Sequence, residues 1–209
     1  MKGDTMKIET IKTKEKLKEV FNFLSKLFFE DAKEYHEHYY TMSERFIEMS
    51  TQFVNDNELL FYIEEDNKIV AALTTKNMDL EKQKITLGIM GVAKEYRRRG
   101  YAKALIEYFE NTCKEKNILH IELGARLRAC PLYIEMNYKP SLMVQVFDFA
   151  TIDDIRKENN FNLEEKLSWQ GDTYGFIFYS IPKVDKKYIE NFEQKVSTAH
   201  AQFIFEKNL

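Results

Sequence analysis

The run Gly91-Val92-Ala93-Lys94-Glu95-Tyr96-Arg97-Arg98-Arg99-Gly100-Tyr101-Ala102 joins two segments of different periodicity. Ile85 to Val92 is an apolar, strand-like stretch, whereas Ala102, Leu105, Ile106, Phe109 and Cys113 recur at helical spacing and predict a helix to about Lys116. A glycine at such a junction lets the backbone fold tightly, so that the amides of the first helical turn converge on one point. That point attracts anions. Three consecutive arginines add positive charge, which suits a pyrophosphate better than a lone phosphate or a metal. The arginines could instead contact RNA, but their place at a strand-to-helix turn favours pyrophosphate. A formal net charge of -3 also lacks the basic footprint of a nucleic-acid binder.

The spacing of Val92, Arg97, Gly100 and Ala102 resembles the V-x-x-x-x-[RQ]-x-x-G-x-[GA] motif of the GNAT superfamily of N-acetyltransferases. A second block follows about thirty residues on. The strand-like Ile118 to Leu123 leads into Ala125-Arg126-Leu127-Arg128-Ala129-Cys130-Pro131-Leu132-Tyr133-Ile134-Glu135-Met136-Asn137-Tyr138, which is similar to the family's A-[RN]-x-x-A-x-x-[LF]-Y-x-x-x-G-[FY] segment. The resemblance covers roughly residues 1–149. It implies acetyl-CoA as co-substrate, with its pyrophosphate over Arg97, Arg98, Arg99, Gly100, Tyr101 and Ala102. The pantetheine arm would pair with the backbone of Met90, Gly91 and Val92, and Tyr133 would sit near the thioester sulfur. Many members carry asparagine where this chain has Arg126, so the usual side-chain contact to the pantetheine arm is absent or replaced. Asn137 stands where glycine is usual, a mild change because asparagine also tolerates the left-handed conformation that follows a helix.

The reaction implied is direct attack of an amine on the thioester. An alkyl ammonium near pKa 10.4 must first lose a proton, which costs about 4.6 kcal/mol at neutral pH. Tyr133 suits the acid that serves the departing thiolate. The base is less constrained: members often place a carboxylate on the strand before the loop, and Ile85 to Val92 has none. Glu122 is the first candidate and Glu64 the second, with a water relay as the alternative. The acceptor expected is a small-molecule amine. A protein acetyltransferase and a non-catalytic CoA-binding sensor are the rival readings, the latter favoured by the missing strand carboxylate.

The stretch Glu30-Asp31-Ala32-Lys33-Glu34-Tyr35-His36-Glu37-His38-Tyr39-Tyr40 gathers acids, histidines and tyrosines. It reads as a solvated helix end, or as a wall of the acceptor pocket. His36 and His38 fall on nearly opposite faces of a helix, so no metal site is expected there. Cys130 is a small buried residue rather than a nucleophile. Cys113 and Cys130 are the two cysteines, read as reduced thiols in the cytoplasm.

The periodicity gives the order β-α-α-β-β-β-α-β-α-β, an α/β fold with a GNAT-like mixed central sheet flanked by helices. Its elements include helices from Leu17 and Ser43, strands Glu58–Glu64 and Lys68–Thr75 joined at Asp66-Asn67, and a strand Lys84–Val92 whose Gly88 and Gly91 suggest a bulge. Leu142 to Phe149 closes this unit. Residues 150–209 then form a small C-terminal α/β extension with a helix Ile152–Glu158, strands Leu163–Trp169 and Tyr174–Ile181 turning at Gly171-Asp172, a helix Lys186–Val196 and a strand Gln202–Phe205. The extension is aromatic-rich and is expected to pack on the first domain, either closing the acceptor side or making a homodimer contact. No segment is apolar enough to span a membrane, and the N-terminus lacks a hydrophobic signal core.

Overall fold

A computed structural model describes residues 6–35, 43–147, 150–170, 174–196 and 199–209. The chain divides into two compact units, Met1–Ile121 with Asn208–Leu209, and Glu122–Lys207. Each packs helices on strands, the mixed α/β architecture that the periodicity predicts.

In the first unit, strand β1 (Ile8–Thr10) leads into helix α1 (Lys14–Tyr35). Thr13 caps that helix: its hydroxyl oxygen accepts the Lys16 N–H at 3.1 Å. Helix α2 (Ser43–Asp56) follows. Residues Asn57–Leu59, expected to begin a strand, are a 3-10 turn instead, because the Asp56 carboxylate accepts the Glu58 N–H and the Leu60 N–H closes on the Asn57 carbonyl. Strands β2 (Phe61–Glu65), β3 (Lys68–Asp79) and β4 (Lys84–Val92) then run antiparallel in sequence, with β1 on the outer side of β2. Asp66 and Asn67 take φ of 49° and 59°, the two positive values that a tight hairpin requires.

Both faces of these strands are covered, which explains their nearly continuous apolar sequences. Tyr62, Ala72 and Ile89 face one way, into a cluster with Leu17, Val20 and Leu24 of α1 and Met49 of α2. Phe61 faces the other way and meets Tyr108 and Phe109 of helix α3 (Tyr101–Glu115). Gly91 is the point of nearest approach: a Cβ there would lie 2.6 Å from Leu27 Cδ2 and 3.1 Å from Leu24 Cδ2. The bulge expected in β4 is present as a register shift opposite Leu73 and Thr75. Thr74 stabilises it, its hydroxyl oxygen accepting the Ile89 N–H at 3.1 Å while the hydroxyl donates to the Ile89 carbonyl at 3.3 Å.

The second unit takes strands β5 (His120–Ala125), β6 (Lys139–Val146), β7 (Glu165–Gln170), β8 (Tyr174–Ser180) and β9 (His200–Asn208) in the order β5-β9-β6-β8-β7. Helices α4 (Cys130–Glu135), α5 (Ala150–Lys157) and α6 (Lys186–Lys195) complete it. The central strand is β6, antiparallel to β9 on one side and to β8 on the other. Leu142 and Val144 of β6, Ile177 and Tyr179 of β8 and Phe203 and Phe205 of β9 are all fully buried. Phe192 of α6 stacks on Tyr179 with ring centroids 5.2 Å apart. The final strand is longer than its apolar core Gln202–Phe205 suggests. The Gly171-Asp172 turn and Phe149 lie outside the described residues.

Ending the chain at Ala150 would strip β6 of both hydrogen-bonding neighbours and expose Leu142 and Val144. We expect the truncated protein to aggregate or to lose its folded signature in size-exclusion chromatography and circular dichroism. A soluble, monomeric and cooperatively melting fragment would contradict this pairing.

Candidate functional site

The loop between β4 and α3 is built from opposed backbone conformations. Residues Lys94–Tyr96 make a 3-10 turn, Arg97 is extended, Arg98 has φ 60° and Gly100 has φ 88°. Gly100 is the N-cap of α3 and offers no side chain to it. The first bond of the helix runs from the Ala104 N–H to the Gly100 carbonyl at 2.9 Å, so the amides of Tyr101 and Ala102 precede it. Among the described residues, only Met6 Cε, at 3.8 Å, stands within 4 Å of where a Gly100 Cβ would be. The helix start carries no capping side chain, and two exposed arginines stand beside it, features that favour an anion at such a position.

The three arginines play different parts. Arg97 turns inward: its Nε donates to the Val92 carbonyl at 3.0 Å and its Nη2 to both carboxylate oxygens of Asp31, at 2.8 and 2.9 Å. Arg99 lies over the Tyr96 ring, 5.4 Å from its centroid, and Tyr96 meets Tyr101 edge-on. Arg98 and Arg99 are exposed. The Tyr101 ring is buried and its hydroxyl donates to Glu65 at 2.6 Å, which pushes its phenol up to about 12. The Tyr101 side chain therefore anchors the start of α3. Met90, Gly91 and Val92 pair with Leu73, Ala72 and Ala71 of β3.

The second motif lies in the other unit. Glu122 is half-buried and alternates with the buried Ile121 and Leu123. Arg126, also half-buried, opens the turn that leads into α4, and its carbonyl accepts the Ala129 N–H and the Cys130 thiol. Burial pushes the Cys130 thiol up to about 11 and that of Cys113 to about 12, so neither is a thiolate nucleophile near neutral pH. Tyr133 is held by a complete helix stop. The Tyr138 N–H bonds the Tyr133 carbonyl at 2.9 Å and the Asn137 N–H bonds the Ile134 carbonyl at 3.0 Å, with Asn137 left-handed at φ 63° as expected. Tyr138 and Phe205 pack on the Tyr133 ring at 5.7 and 5.5 Å. Burial, chiefly, pushes the Tyr133 phenol well above its ordinary value.

Of the other candidates, Glu64 is engaged by Lys16 at 2.5 Å. In the acidic stretch after Glu30, the helix continues to Tyr35, and Lys33 and Glu34 are exposed as expected. Asp31 is not: it is 4% exposed beneath Arg97. Its importance was hidden in the sequence, because 66 positions separate the two partners. His36, His38 and the neighbouring tyrosines Tyr39 and Tyr40 lie outside the described residues. Among the described residues no three His, Cys, Asp or Glu side chains are grouped to hold a metal.

The family model for the acetyltransferase (GNAT) family matches residues 17–138. The chain belongs to that family. Solved structures share the GNAT fold: a GNAT-family acetyltransferase of Staphylococcus aureus Mu50 is 16% identical with a TM-score of 0.58, over 98% of this chain and 99% of that one. An N-acetyltransferase of the same organism is 17% identical with a TM-score of 0.50, over 84% and 97%. The NatC complex bound to Gag peptide and CoA contains a chain 14% identical with a TM-score of 0.52, over 86% and 100%. No curated protein matches this GNAT chain in sequence. No helix among its described residues is long and apolar enough to cross a membrane.

The helix stop after Tyr133 gives a direct test. Asn137→Val should lower unfolding stability by about 1–2 kcal/mol, because a branched side chain resists the left-handed backbone, whereas Asn137→Gly should be neutral or stabilising. Urea titrations of the two variants check this, and equal stabilities would contradict the assignment.

Proposed function

We propose that this GNAT protein transfers an acetyl group from acetyl-CoA to a primary amine of a small molecule by direct attack. The observation that supports it best is the uncapped start of α3 at the left-handed Gly100, beside exposed Arg98 and Arg99. In this reading the amides from Arg98 to Ala102 hold the pyrophosphate, with Arg98 and Arg99 adding charge. The backbone of Met90 to Val92 takes the pantetheine arm, and Arg126 stands where the resembled motif contacts that arm. Acetyl-CoA supplies the acyl group already activated as a thioester.

Tyr133 serves the departing sulfur by donating a hydrogen bond. A phenol near 10 already lies above a thiol near 8.5, so complete proton transfer to the thiolate runs uphill by about 2 kcal/mol. Burial raises the phenol further. Tyr133 thus stays protonated throughout, and its contribution is stabilisation of charge developing on sulfur rather than outright acid transfer. Glu122, on the strand that leads into the second motif, is the base we assign to the amine, directly or through water. The free, buried Cys113 and Cys130 fit a reducing cytoplasm.

Substitutions at two positions separate the parts of this reading. Gly100→Val forces a branched residue to φ 88° and should abolish CoA binding in calorimetry, while Gly100→Asn should retain part of it. Unchanged affinity in Gly100→Val would remove the cofactor assignment. Tyr133→Phe should lower kcat about 100-fold with little change in CoA affinity, read from CoA thiol release with a panel of amines and peptides. Full turnover in that variant would return Tyr133 to a packing role. Binding of CoA with no thiol release for any acceptor would favour the sensor reading, and release with peptides alone would favour a protein acceptor.

A further inference from the structure

The pyrophosphate loop places Arg98 at φ 60°, two residues before Gly100 at φ 88°. A left-handed backbone costs glycine little, but at a residue such as Arg98 it persists where surrounding contacts hold it. Here the contacts converge on Arg97, which bonds the Val92 carbonyl at the end of β4 and so ties the loop's exit to its entry. A guanidinium held in that place needs a counter-charge, and both oxygens of Asp31 supply it. The Asp31 side chain is 6% exposed and that of Arg97 26%, so the pair is screened less than an ion pair in open solvent. One turn further along α1, Glu34 pairs with Lys94 of the same loop. Two contacts therefore fasten the last turns of α1 to the segment between β4 and α3.

We propose that Asp31 is the positioning residue of the pyrophosphate loop, acting through Arg97 to set the amides of Arg98 to Ala102 for CoA. The inference rests on the acetyl-CoA reading above. It gives Arg97 the work of shaping the cradle from behind while Arg98 and Arg99 face the anion. It also makes α1 part of the cofactor site without requiring that α1 touch the cofactor. Loss of the Asp31 charge removes the carboxylate that holds the Arg97 guanidinium, so that it is released from Val92 or draws water into the site. The resembled motif accepts glutamine as well as arginine at position 97, so a neutral pair has a built-in route to restore the geometry.

The test compares CoA and 3′-phospho-ADP, which keeps the pyrophosphate but lacks the pantetheine arm, by calorimetry well below the melting transition. Asp31→Asn should raise Kd for both ligands by at least roughly tenfold and by the same factor. Adding Arg97→Gln to Asp31→Asn should recover most of the loss. Should Asp31→Asn fail to fold, Arg97→Gln alone against the double variant makes the same comparison, with weak binding in the single and recovery in the double. A pair that merely supports stability would lower the melting temperature and leave both Kd values of the folded protein unchanged. That result, or absence of recovery in the double variant, overturns the inference while wild-type binding keeps the acetyl-CoA reading. Wild-type protein that binds neither ligand overturns both.

Discussion

Helix α1 lies so near β4 that position 91 has room for a hydrogen and nothing more. That approach seals one face of the first unit's strands, and it brings the last turns of α1 over the loop that leaves β4. Asp31 can reach Arg97 only because Leu27 and Leu24, one and two turns earlier on the same helix, are already seated against the strand. Packing and loop geometry are thus one constraint. A shift of α1 away from β4 would loosen the counter-charge of Arg97 and the start of α3 together.

The same economy appears at the other motif. Tyr133 is oriented by backbone bonds from Asn137 and Tyr138 and by two aromatic rings, none of which needs a polar partner for its hydroxyl. Its ring is fixed by ordinary helix termination, which leaves the hydroxyl's chemistry to be decided by burial. Burial makes it a poorer acid and a steadier hydrogen-bond donor. In the proposed reaction, whose leaving thiolate is a weak base, steadiness is the more useful property.

Local features were legible in the sequence because their causes are local. Asp66-Asn67 marked a turn that needs positive φ, Asn137 stood where a left-handed residue ends a helix, and the glycines of β4 announced its bulge. The site loop was legible for the same reason, since a strand, a glycine and a helix stand side by side in the chain. What stayed hidden depends on distant partners. Arg97 looked like a phosphate ligand among three arginines until Asp31, deep beneath it, was placed. The acid itself looked like part of a solvated helix end, because an ion pair across 66 positions leaves no periodicity behind. The order of strands around β6 was hidden likewise, as alternation identifies a strand and its buried face but not its neighbours.

On the proposed reading, the start of α3 is an anion site shaped in advance by its backbone. Hydrogen–deuterium exchange with and without CoA measures this at the groups concerned. CoA should slow exchange at the amides from Arg98 to Ala102, which no helix bond or capping side chain among the described residues protects, and should leave the strands of the second unit's core unchanged. Protection by CoA elsewhere, with none at these amides, would contradict it.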